Sequence, residues 1–204
     1  MSDVFYTPPV AQLSERNDND AVFFTVSLRK LAIMLILTSG LYGLYWCFRN
    51  WTAYKSYSGR PVWPVARCVL GLVYLPSLFA KINRALKDQG KAGMPYWAFY
   101  AGGIIFIALA PSLIGFVAGL VQGVAGLPYS GPAAPVLLIA STVPLLLQSA
   151  ILVRVQSFIN RLNNDPAANE NSHLTLWNAV WMVIGIVYWG VGVFIALNMA
   201  SVAG

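Results

Sequence analysis

Charge is what this chain has least of. Only 10% of its 204 residues are Asp, Glu, Lys or Arg, whereas 58% are hydrophobic, and the mean hydropathy is +0.64. A soluble domain carries about a quarter charged residues, so this chain has too few to cover a water-facing surface. Histidine occurs once, at His173, and cysteine twice, at Cys47 and Cys68. That excludes a disulfide framework and a zinc site of the usual composition. The catalytic spacings GxSxG, HExxH, GxxxxGK and GxGxxG before a helix are all missing. No catalytic set and no cofactor is therefore expected. His173 has Asp165, Glu170 and Ser172 nearby, but neighbours in a polar loop serve capping and solvation before they make a triad. Acids and bases are also missing from the middle of every long apolar run. That weighs against an ion-coupled pump and leaves a passive pore or a lipid-handling protein open.

What is present is a series of apolar runs of membrane length. A crossing helix needs about 20 such residues. The expected spans are 28–48, 96–121, 136–153 and 174–199, with Pro144 kinking the third. Residues 1–27 read as a polar N-terminal tail with no basic region preceding an apolar core, so no signal peptide is expected. Residues 28–204 read as the helical domain. Between Arg67 and Lys81 only thirteen uncharged residues intervene, which is short for a span. The stretch 64–87 is therefore expected to be an amphipathic or re-entrant helix. The fold class is an all-α membrane protein, a bundle of four spans plus this short element, with five spans as the alternative. Ser172 or Asn171 is the expected cap of the last helix.

The net charge of +6 comes from clustered cations. Eleven of the 13 Lys and Arg lie between Arg16 and Lys91, and the others are Arg154 and Arg161. No basic face covers a domain, so nucleic acid is not an expected partner. The positive-inside rule supplies a topology. If 68–80 does not cross, ten cations share one side and three the other; if it crosses, the split is nine to four. The first arrangement is preferred. It places the N-terminus outside and residues 49–95 and 154–173 in the cytoplasm. Both place the C-terminus outside.

Three features stand as candidate sites. In 49–67, Arg49, Lys55, Arg60 and Arg67 interleave with aromatics that include Trp51 and Trp63. Such a stretch either anchors at the headgroup layer or docks anionic lipid or a partner. Gly115, Gly119 and Gly123 recur every four residues, a smooth ridge for close helix approach. It serves either this chain's own bundle or an oligomer or membrane-protein partner. Gln148 is a large amide well inside a span. It reads as a hydrogen bond to a neighbouring helix or as a substrate contact.

Residues 27–51, SLRKLAIMLILTSGLYGLYWCFRNW, resemble the opening of a group of bacterial inner-membrane proteins of the domain-of-unknown-function type. The resemblance rests on Ser27 with Lys30 and Leu31, on Thr38 and Gly40, on the aromatics from Tyr42 to Trp46, and on Arg49-Asn50-Trp51. Residues 64–83, PVARCVLGLVYLPSLFAKIN, are similar to that group's second element. The resemblance implies a multi-pass protein of the bacterial inner membrane and carries over no catalytic residue. The expected function is a non-enzymatic scaffold or accessory subunit of a membrane assembly. The alternative is a lipid- or small-molecule-handling protein that uses the 49–67 surface.

Overall fold

The computed structural model describes residues 21–126 and 134–202. Residues 1–20, within the polar tail, and residues 127–133, a stretch rich in Gly and Pro, lie outside the described residues. Among those described the protein is all-helical. Its α-helices are α1 (Leu28–Leu37), α2 (Tyr42–Ser58), α3 (Pro64–Val69), α4 (Gly71–Asp88), α5 (Trp97–Val124), α6 (Ala134–Leu162) and α7 (Leu176–Val202). Three helices are long and apolar enough to cross a membrane: α5, the Ala140–Leu162 part of α6, and the Leu176–Ile195 part of α7. This is compatible with a multi-pass membrane protein.

The expected first span, 28–48, is not one helix. It breaks at Thr38–Leu41, and the residues there explain why. Ser39 and Gly40 both take positive φ, 53° and 85°, a backbone state that a right-handed helix cannot continue through. The Gly40 N–H closes the end of α1 on the Leu35 carbonyl at 2.8 Å, the helix-ending bond that a left-handed residue makes available. The Thr38 hydroxyl serves both helices. It donates to the Met34 carbonyl at 2.6 Å and accepts from the Tyr42 N–H at 3.0 Å. Absence of charge over 31–47 disguised a Thr-Ser-Gly break as a continuous span.

The two pieces form a helical hairpin beside α6 and α7. Ser27 N donates to Asn171 O at 3.3 Å, and Trp189 Nε1 donates to Ile36 O at 3.2 Å. So α1 runs parallel to α7, from its start toward its middle. There α7 presents Gly185, where a Cβ would collide with the Leu37 and Thr38 backbone. The chain then turns and returns along α6: Gly40 lies against Leu145, Gly43 against Leu152, and Trp46 donates to Gln156. Leu176 to Gly185 is nine residues, so the hairpin tip reaches about 14 Å along α7 at 1.5 Å per residue. Tyr42, Trp46 and Trp51 are buried in the core, although Trp51 is one of the aromatics expected to anchor at the headgroup layer.

The 64–87 stretch is two helices, separated at Leu70, rather than one. Pro64 starts α3, where its missing N–H costs nothing. On α4 the buried residues are Leu75, Leu78, Phe79, Ile82 and Leu86, the three-and-four spacing of an amphipathic helix. They join Phe23, Leu31, Met34, Trp46, Trp51 and Ile159 in one core. α6 continues past Val153, where the expected span ends, to Leu162. The residues gained carry Gln156 and Asn160, which are central to the site. The cap of α7 is Thr175, not Ser172 or Asn171. Its N–H donates to Asn178 Oδ1 at 2.9 Å, and the Asn178 N–H donates back to Thr175 Oγ1 at 3.4 Å, the reciprocal pattern of a capping box.

Candidate functional site

One face of α6 turns polar near its end. Gln156, Asn160 and Asn163 are spaced by four and three residues, so their side chains line up. They hold the extended segment 21–27 by its backbone. Asn163 accepts from Val22 N at 3.1 Å and donates to Phe23 O at 2.6 Å. Gln156 donates to Phe24 O at 2.9 Å and to Asn160 Oδ1 at 2.7 Å, and Asn160 donates to Val26 O at 3.0 Å. Asn50 accepts from Phe24 N at 3.3 Å from α2. An extended backbone has no internal hydrogen bonds, and buried N–H and C=O groups must be paired. Side-chain amides do here what a neighbouring strand does in a sheet.

Beside this segment lies a cavity of about 700 Å³ between the α1–α2 hairpin and the start of α7. Two cations line it, Lys30 and Arg49, together with Phe24, Tyr45, Trp177 and Trp181. Among the described lining residues there is no carboxylate. Lys30 is only 5% exposed. Its ammonium donates to Asn171 Oδ1 and to the His173 carbonyl, both at 2.7 Å. Both acceptors are neutral, and burial lowers the Lys30 pKa below the ordinary lysine value. The Arg49 guanidinium sits over the Phe24 ring at 4.7 Å and the Tyr45 ring at 5.7 Å, and donates to the Tyr45 hydroxyl at 2.9 Å. Stacking of this kind orients the cation while leaving donors free.

The six residues singled out in 49–67 do not form one surface. Arg49 enters the cavity just described. Lys55 and Arg60 line a shallow cavity of about 510 Å³, and Arg60 also joins Lys81, Arg84 and Asp88 around a third, of about 520 Å³. Arg67 lies over the rings of Trp51 and Tyr74 at 4.3 and 5.2 Å. Trp63 is 73% exposed. Trp51 is fully buried, so it is a core residue and not a lipid contact.

Gly115, Gly119 and Gly123 face open space, with no atom of a described residue within 4 Å of where a Cβ would stand. Packing within this chain's own bundle is therefore not what they do among the described residues. The close-packing glycine is Gly185. Gln148 is half-buried, and the amide that ties helices together is Gln156, about two turns further on.

Lys91, expected as a linker charge, caps α6. Its ammonium donates to the carbonyls of Arg161 and Leu162 at 2.9 and 2.7 Å and to Asn164 Oδ1 at 2.7 Å. A cation at the carboxyl end of a helix meets unpaired carbonyls and the negative end of the dipole. Partial burial lowers its pKa.

Sequence reasoning missed Lys30, Gln156, Asn160 and Asn163. The available signal was the Gln-x3-Asn-x2-Asn spacing at the end of an apolar helix. Comparison with family models, with curated proteins and with solved structures finds no match for this chain.

Proposed function

We propose that this chain is a non-enzymatic multi-pass membrane protein that acts as a scaffold or accessory subunit of a membrane assembly, with the glycine face of α5 as its contact surface. The observation that carries the reading is the open ridge. From Pro111 to Val121 every residue of α5 is exposed, and Gly115, Gly119 and Gly123 have nothing packed on them among the described residues. Lipid alone satisfies apolar side chains. A four-residue glycine repeat on one face suits a second helix, whose backbone it lets approach closely. Purification in mild detergent followed by mass determination tests this. A particle containing one 22.2 kDa chain and no other protein counts against it.

The reading includes a topology. α5 begins, α6 ends and α7 begins at one end of the three apolar helices, and the α1–α2 hairpin starts and returns there. Every Lys and Arg from Arg29 to Lys91 then falls on one side, with Arg154 and Arg161 in the last turns of α6. No Lys or Arg follows Arg161. The positive-inside rule assigns that side to the cytoplasm, in keeping with the resemblance to bacterial inner-membrane proteins. On this reading the C-terminus lies outside. The N-terminal side moves to the cytoplasm, because the first expected span becomes a hairpin that does not cross.

A second reading, lipid handling, is favoured by the cations themselves. Arg49, Arg67 and Lys81 each lie over aromatic rings, Lys81 at 4.9 Å from the centre of Tyr54. Cations set on rings near the ends of apolar helices suit anionic headgroups.

A further inference from the structure

We propose that the cavity between the α1–α2 hairpin and the start of α7 is a binding site for a phosphate-bearing anion, held by Lys30 and Arg49. The inference narrows the lipid reading from a surface to one cavity, and it assigns Lys30, which that surface does not include.

Three observations converge. First, Lys30 is buried, and its acceptors among the described residues are both neutral. An ammonium has three N–H donors, and two are used, on Asn171 and His173. A buried charge without a counter-charge is costly unless something of opposite sign reaches it. Second, Arg49 lines the same cavity and is held by Tyr45 and Phe24 rather than by a carboxylate. Its planar fork matches phosphate oxygens. No described residue that lines the cavity supplies a negative charge. Third, Trp177 and Trp181, in the first turns of an apolar helix, form one wall. Such aromatics sit at headgroup depth. The volume of about 700 Å³ is within the range of small-molecule sites. The shared chemistry is a phosphate ester of net negative charge, supplied either by an anionic phospholipid headgroup or by a soluble phosphate ester.

The test uses the full chain in mild detergent with phosphatidylglycerol, phosphatidylcholine and glycerol 3-phosphate as separate probes. Binding is read by native mass spectrometry and by the shift in melting temperature. Phosphatidylglycerol or glycerol 3-phosphate is expected to bind and to stabilise the protein. Arg49→Gln is expected to weaken that binding by about tenfold, the size of one lost charge-assisted hydrogen bond, and Arg49→Lys to restore part of it. Lys30→Met is expected to abolish it. Because Lys30 is buried, Lys30→Met may only be used where the variant stays monodisperse; Arg49→Gln, at an exposed residue, carries the test in any case. Binding by phosphatidylglycerol alone assigns the lipid as source, and binding by glycerol 3-phosphate as well assigns the soluble ester. Equal binding of phosphatidylcholine, or wild-type affinity in Arg49→Gln, overturns the proposal. Loss of binding in Lys55→Gln/Arg60→Gln but not in Arg49→Gln overturns the cavity and leaves the surface reading standing.

Discussion

The Trp46 indole N–H donates to the side-chain oxygen of Gln156, and through that one bond α2 is tied to α6 across 110 residues of sequence. Gln156 is fully buried, and its amide nitrogen holds Phe24 O and Asn160 Oδ1 as well. Gln156→Leu leaves the Trp46 donor and the Phe24 carbonyl buried without partners. Each orphaned group costs about 1–3 kcal/mol. The variant is expected to be destabilised by roughly 2–6 kcal/mol on that scale, read as a lowered apparent melting temperature in mild detergent. An unchanged melting temperature contradicts the role given to this amide.

Gly185 and Gly119 are expected to respond in opposite ways to the same added methyl group. At Gly185 the new Cβ meets the Leu37 and Thr38 backbone, which cannot rotate away. Gly185→Ala is therefore expected to destabilise by about 1–3 kcal/mol, as overpacking does. At Gly119 the Cβ meets nothing among the described residues, so Gly119→Ala leaves the single chain's stability unchanged. Thermal melts of the two variants side by side check this. A loss at Gly119 equal to that at Gly185 contradicts it.

Lys30 gives a pH signature whose sign follows from burial. Its folded pKa lies below the unfolded lysine value of 10.5. Between those two values the unfolded chain binds more protons than the folded one, so stability rises with pH across that window. Lys91 contributes with the same sign. The difference in melting temperature between wild type and Lys30→Met is expected to change as the pH climbs toward 10.5. A difference that is flat throughout contradicts the burial argument.

The topology predicts labelling by membrane-impermeant thiol reagents. In a Cys47→Ser/Cys68→Ser background, Ala21→Cys, Ser56→Cys and Ser172→Cys are expected to react from one side, the cytoplasmic one. Val124→Cys, at the far end of α5, reacts from the other. Labelling of Ala21→Cys together with Val124→Cys restores 28–48 as a crossing and removes the hairpin.

The long spans were legible because their signal is local. α5 and α7 lie within a few residues of the expected 96–121 and 174–199, since apolar length alone marks them. α4 lies in the stretch that the short apolar run between Arg67 and Lys81 already set apart from the long spans. The hairpin was not. Thr38, Ser39 and Gly40 are ordinary in a membrane helix, and the break becomes visible only when Gly185 and Leu145 are seen packed around the turn. The polar face of α6 was hidden for a related reason. Arg154 looks like the end of a span by composition, yet the helix runs on because Gln156 and Asn160 find partners in residues 22–26, far away in sequence. Trp51 and Trp63 read alike as interfacial aromatics, and only tertiary packing separates the buried ring from the exposed one. Lys30 looked like a flanking charge because burial beside Asn171 and His173 requires the two ends of the chain to meet.

In the proposed assembly, α5 presents its glycine face to another protein helix. The direct measurement is the protein mass of the detergent-solubilised particle, for wild type and for Gly115→Leu/Gly119→Leu. The wild-type particle is expected to be heavier than one 22.2 kDa chain, and the variant to fold with wild-type melting behaviour but fall to the mass of a single chain. A wild-type particle of one chain alone, or a double variant whose mass is unchanged, contradicts it.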